Sequence, residues 1–179
     1  LTASLRVNDS GFILSGTGAE PPAMPSYEFR GPSGNQQPSQ QVAVGLSLAT
    51  AYPMALQGSL TMTFVPSVFA DDPAIQFASG GRTVKFTIPA NSTDALFNNN
   101  ATTIPLQTGT VAGNIVITPA FAMQTGGFDL TPTTPPTLSM TVQRLAPQLL
   151  SASIVSQTAT SFTVVVNGYS TTRSMRQLD

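Results

Sequence analysis

Histidine and cysteine are both absent from the chain, and the two absences together remove most familiar catalytic chemistry. Without imidazole there is no side chain that ordinarily titrates near neutrality, the commonest general base and the commonest metal ligand. Without thiols there are no disulfides, no cysteine nucleophiles and no cysteine-based zinc sites. Charge is scarce as well. Charged residues make up 8% of the sequence, against roughly 25% in ordinary soluble domains. The net charge is −1, from seven basic and eight acidic residues scattered along the chain, so no positive stripe is present to displace counterions from phosphates. A nucleic-acid partner is therefore not expected. The longest apolar clusters, such as "FTVVV" at Phe162–Val166, are strand-sized and fall far short of the ~20 residues that span a bilayer, so membrane insertion is not expected either. No signal-peptide pattern opens the sequence, and any export signal is expected upstream or already removed.

What is present points to a folded β protein. Hydrophobic residues reach 41%, enough for a core, while Gln, Asn, Ser and Thr take the place of charge on the surface. Disorder requires low hydrophobicity with high net charge, and neither holds. Fifteen prolines and fourteen glycines interrupt the chain too often for helices of three turns. Between the breaks run short β-branched stretches with period-two alternation. In "QVAVGLSLAT" Val42, Val44, Leu46 and Leu48 point one way. In "RTVKFTIP" Val84, Phe86 and Ile88 face inward and Lys85 outward. In "LQGSLTMTFV" Leu56, Leu60, Met62 and Phe64 share a face, with Gly58 expected to mark a bulge or bend. "TTIPLQTG", "GNIVITPAF", "FDLTP" and "TLSMTVQR" continue the series, the last with Leu138, Met140 and Val142 on one side. Strands at intervals of about eight to twelve residues predict an all-β, Ig-like antiparallel β-sandwich.

Such a sandwich needs seven to nine strands in about 100 residues, and the stretch from Ser26 to Gln143 supplies them. The flanking strands are surplus. Pro21-Pro22 and Ala146-Pro147 sit where semi-rigid linkers would, because proline fixes φ and favours polyproline II. The expected organisation is three-part. Residues 1–20 are the last strands of a preceding module, a hairpin turning at "NDSG". Residues 21–145 are the central sandwich, and residues 146–179 are the first strands of a following module, with partial flanking modules left for neighbours to cover. The alternative is one large sandwich whose flanking strands join the same sheets.

"FILSGTG" before the proline seam resembles the terminal strand of the Ig-like modules named after the ASPM, SPD-2 and Hydin proteins, which occur in arrays in large secreted bacterial proteins. The blocks "AVGLSLATAYPMALQGSLTMTFVPS", "DDPAIQFASGGRTVKFTIPA" and "LQTGTVAGNIVITPAF" resemble a module that accompanies them, notably in acidobacteria. The resemblance implies tandem Ig-like architecture outside the cell and transfers no catalytic residue. It also implies that "GYSTTRSMRQLD" runs on into another strand.

Few residues invite chemistry. Asp71-Asp72 is the one adjacent carboxylate pair. A glycosidase pair or a calcium site could use such residues, but the pair lies in a turn before a strand, without "DxDxDG" spacing, and is expected to cap backbone amides. Asp94 and Asp129 could join it through tertiary folding alone. Lys85, the sole lysine, could form an isopeptide link if buried; its alternation makes it a solvated strand lysine. "SGTG", "SGGR" and "TGGF" are expected as turns, since none leads into a helix that could hold phosphate. Asn8, Asn91 and Asn100 open glycosylation-type triplets, expected by chance in exposed loops. Tyr27, Tyr52 and Tyr169 are too scattered for a stacking platform, and Tyr52 is expected as a corner residue bonding backbone. "FNNNATT" is a candidate contact loop at a sandwich end.

No catalytic, cofactor or metal site is therefore expected. The reading is a non-catalytic structural or adhesive module of a secreted or cell-surface array, with a strand-exchanging filament subunit as a close variant. Its partners would be neighbouring β modules, or cell-surface glycans and proteins. A carbohydrate-binding accessory domain is the alternative.

Overall fold

The computed structural model describes residues 20–68 and 70–174, together with the backbone of two strands before them. Those two, β1 (Ala3–Val7) and β2 (Ser10–Leu14), pair antiparallel with each other. The "NDSG" turn and "SGTG" lie wholly or partly outside the described residues. Then come β3 (Tyr27–Arg30), β4 (Gly34–Gln36), β5 (Gln41–Tyr52), β6 (Leu56–Pro66), β7 (Gln76–Phe77), β8 (Thr83–Ile88) and β9 (Ser92–Asp94). The chain continues with β10 (Thr103–Gln107), β11 (Gly113–Met123), β12 (Leu138–Val142), β13 (Gln148–Gln157) and β14 (Phe162–Tyr169). Among the described residues the helical content is a single 3-10 turn at Asn98–Asn100.

Two five-stranded sheets stack as an all-β, Ig-like sandwich. One has the order β3-β5-β10-β7, with β9 also on β5; the other has the order β4-β12-β11-β6-β8. Among the described residues all strand pairings are antiparallel except β4 on β12. The alternation read from the sequence is the alternation of burial: Val84, Phe86 and Ile88 are buried while Lys85 is exposed. Leu138, Met140 and Val142 on β12, and Val44, Leu46 and Leu48 on β5, complete the facing layers. The layers interlock through aromatic rings. Phe121 of one sheet lies 5.0 Å from Tyr27 of the other and 5.6 Å from Phe86 beside it, the latter edge-on. Such offset pairs add to their area burial.

Gly58 departs from expectation. No bulge or bend occurs there, because β6 holds unbroken register with β11 from Leu56 to Pro66 and with β8 from Leu56 to Thr61. It occupies an inward position of β6, where the Phe86 ring fills the space a side chain would take. "FDLTP" is likewise not a strand; a single bridge joins Asp129 to Ala122. "SGGR" and "TGGF" are turns, with positive φ at Gly80, Gly81, Gly126 and Gly127.

The sandwich has two poles. At one, the Tyr52 hydroxyl donates to the Pro22 carbonyl at 2.8 Å, so the corner expected of Tyr52 ties the proline seam to the end of β5. Tyr27 does the same, donating to the Pro136 carbonyl at 2.9 Å. Tyr52→Phe should therefore lower stability by about 1 kcal/mol, the usual net value of one such bond, as read by urea denaturation. An unchanged midpoint would mean the seam is not held there. Burial pushes the Tyr27 phenol up to about 12 and raises Tyr52 as well. A raised folded-state value stabilises the fold fully below the unfolded value near 10. That contribution is lost as pH climbs through the folded value. In a Tyr169→Phe background, tyrosinate absorbance should therefore appear together with unfolding between about pH 10 and 12; ionisation of Tyr27 near pH 10 with the fold intact would contradict this.

The opposite pole collects the ends of β6, β11 and β12, and there β13–β14 leave as a separate two-stranded sheet. Neither flanking hairpin joins the five-stranded sheets. The stretch "GYSTTRSMRQLD", expected to run on into another strand, is described only as far as Ser174, and its last five residues lie outside the described residues. After Tyr169 the chain forms a turn and returns to the sandwich, where Thr171 is fully buried.

Candidate functional site

Asp72 organises the pole from which β13–β14 depart. Its side chain is buried, and its two oxygens are acceptors for backbone amides from two loops. Ala74 N–H donates to Oδ1 at 3.0 Å, while Thr110 and Val111 N–H donate to Oδ2 at 2.6 and 2.9 Å. Burial pushes the Asp72 carboxyl up, but the amide bonds from Thr110, Val111 and Ala74 outweigh it and hold the group below its ordinary range. Gly109 is required beside it: φ is +68°, and an added methyl would sit 2.6 Å from Asp72 Oδ2. Asp71 is exposed and pairs with Arg82 at 2.7 Å, and Arg82 also donates to the Asp72 and Ile75 carbonyls. The expectation that this pair caps amides is what the geometry displays. Asp94 is elsewhere, bonded to Arg30 at 2.7 Å, and Asp129 caps Thr131 N–H at 2.9 Å. Among the described residues no three carboxylates gather as metal ligands would.

Thr171 fastens the returning chain to this pole. Its hydroxyl accepts from Leu145 N–H at 2.9 Å and donates to the Leu145 carbonyl at 3.1 Å. Its own carbonyl accepts from Ala112 N–H at 2.9 Å. Arg173 approaches Asp72 at 3.7 Å. Both feet of β13–β14 are thereby anchored, and the hairpin itself is an arm.

Every position of β13 is exposed, as are those of β14 up to its last residue. Cross-strand partners share a face. Leu149, Ala152 and Ile154 of β13 lie opposite Gly168, Val166 and Val164, and Phe162 is on the same side. The other face carries Gln148, Ser151, Ser153 and Ser156 opposite Tyr169, Asn167, Val165 and Thr163. One face is thus apolar and the other largely polar. Ile154 is 61% and Phe162 67% exposed. The sequence hid this amphipathicity, because irregularities after Leu149 and Ile154 re-phase the alternation, leaving Leu150 and Val155 as extra residues.

A second feature is a groove of about 650 Å³ on the outward side of β6, β8 and β11. Its lining includes Ser59, Lys85, Asn98, Asp129 and Thr131. Lys85, expected as a solvated strand residue, faces this groove, and the "FNNNATT" loop borders it through Asn98.

No family model matches the chain, and no curated protein matches it either. Among the described residues no helix is long and apolar enough to cross a membrane.

Proposed function

We propose that the chain is a non-catalytic structural or adhesive β module of a secreted or cell-surface array, which joins neighbouring β modules through the apolar face of the β13–β14 arm. The observation carrying this reading is that face, held out from the sandwich on two anchored feet. A two-stranded hairpin is marginal alone and gains stability when its apolar side is covered. Contiguous exposed apolar surface with a polar reverse is a mark of an interaction site. Scarcity of charge and lack of histidine and cysteine suit a structural part better than an enzyme. Paired charge substitutions Ile154→Lys and Val164→Lys test the reading. They should abolish binding of an apolar dye such as ANS to the folded chain and leave its melting temperature within about 2 °C. Unfolding of the sandwich by these substitutions, or unchanged dye binding, would overturn it.

The groove favours a second reading, a glycan-binding accessory domain, since its volume falls within the range usual for ligand clefts and its lining offers hydroxyl, amide, ammonium and carboxylate groups. Calorimetric titration with a panel of oligosaccharides should then show binding that Lys85→Ala weakens by about tenfold. Heats that Lys85→Ala leaves unchanged, or no heat at all, would remove this reading.

A further inference from the structure

We infer that the groove over β6, β8 and β11 selects acidic glycans, oligosaccharides that carry uronate carboxylates, over neutral ones of the same shape. This rests on the reading of the groove as a glycan cleft and adds the class of sugar. Strand register lays out the surface. Lys85 of β8 is opposite Ser59 of β6, which is opposite Ala120 of β11. Two positions along, Thr87, Gln57 and Ala122 form a second row, which a bridge from Ala122 continues to Asp129. Cross-strand partners share a face, and so do residues two apart on a strand. Both rows therefore lie on the outward side of the sheet, away from buried Leu56, Leu60, Phe86 and Ile88.

The aromatic rings that line the groove cannot stack on a sugar, because Phe86, Phe97 and Phe121 are all buried. Hydrogen bonds must carry the binding. Those between neutral groups gain little, since they replace bonds to water. Bonds to an ionised partner are roughly twice as strong. Among the described residues every ion pair is made by an arginine, so the Lys85 ammonium has no carboxylate partner and can take one from a ligand. Asp129 is the other charge in the lining, and its carboxylate already accepts the Thr131 N–H at 2.9 Å. It stands three strands from Lys85, about 14 Å at the usual strand spacing. That exceeds the screening length of about 8 Å at physiological ionic strength, so its repulsion hardly reaches an anion at Lys85. The free acceptor capacity of Asp129 suits hydroxyls, which donate. The two ends thus ask for different groups, a carboxylate beside β8 and hydroxyls beside β11. Between them Ser59, Ala120 and Ala122 are short and leave room for the rings. A uronate oligosaccharide supplies both groups along one chain, whereas an oligoglutamate supplies the first alone.

The test is calorimetric titration of the full chain with oligogalacturonate, with its fully methyl-esterified form of the same length, and with oligoglutamate of matched charge. Oligogalacturonate should bind about tenfold more tightly than its ester, and more weakly as salt rises from about 50 to about 500 mM. Lys85→Gln should bring the acid down to the affinity of the ester, while Lys85→Arg should keep most of the preference. Ser59→Trp, which fills the space between the two ends, should abolish binding of both at an unchanged melting temperature. Acid and ester binding equally, and both blocked by Ser59→Trp, would overturn the inference and leave the glycan reading standing. Oligoglutamate binding as tightly as oligogalacturonate would also overturn it, since the groove would then read charge and not sugar. Acid binding that survives Lys85→Gln would place the carboxylate elsewhere and reject the role given to this lysine. No binding of oligogalacturonate overturns the inference as well, with the oligosaccharide panel deciding the glycan reading separately.

Discussion

Asp72→Ala is expected to lower the free energy of unfolding by about 3–5 kcal/mol, the usual loss when one member of a buried charged network is removed. At about 2–4 °C per kcal/mol for a domain of this size, the melting temperature should fall by roughly 10 °C. Amides of Ala74, Thr110 and Val111 would be left without their acceptor, in a site that admits little water. Asp72→Asn should cost nearly as much, since its NH2 would face N–H donors. The carboxyl is held below its ordinary range, so its stabilising contribution is fully present above the unfolded value near 3.9. It is lost as pH falls through the folded value. Urea denaturation from pH 7 to pH 2 should show the native chain losing stability in that acid window, with Asp72→Asn flatter across it. A variant within 1 kcal/mol of the native chain at pH 7 would refute the role given to this residue.

Gly58→Ala should be among the most damaging single methyls that can be added to the sandwich, costing about 3 kcal/mol. Overpacking of this kind typically costs 1–3 kcal/mol, and more where nothing can move. Here the added carbon would fall within contact distance of both the Ala120 carbonyl oxygen and the Phe86 ring. The carbonyl belongs to the β6–β11 ladder, and the ring is wedged against Phe97 and Phe121, so neither neighbour can yield cheaply. Ser59→Ala, one residue on and outward-facing, should change stability by less than 0.5 kcal/mol. Thermal unfolding of the pair checks the contrast; equal midpoints would mean that the ring and strand relax around the methyl.

How much was legible in the sequence depended on the distance over which each residue finds its partners. The alternation in "RTVKFTIP" is local, and it placed Val84, Phe86, Ile88 and Lys85 on the sides they occupy. Tyr52 was readable as a corner because its partner Pro22 belongs to an evident seam. Tyr27 was not, because the Pro136 carbonyl lies 109 positions away. Asp72 was readable as a turn cap on Ala74, but Thr110 and Val111 reach it from another loop. Gly58 suggested irregularity, and its cause is a neighbouring ring that sequence spacing cannot show. The arm was seen as a strand pair yet its apolar face was not, since two inserted residues break the period that would have revealed it. Nor did the closing segment signal its return: Thr171 is a threonine among threonines until Leu145 and Ala112 meet it.

The attachment points at Pro22 and Thr171 have a mechanical consequence. Tension applied to the chain at these two points would enter at the start of β3 and leave past the end of β12, at opposite poles and parallel to the strands. Ladder bonds lie across that direction, so they are loaded in shear and must yield together, not one after another as in a zipper. Pulled lengthwise, such a fold would resist more than one whose strands peel apart bond by bond.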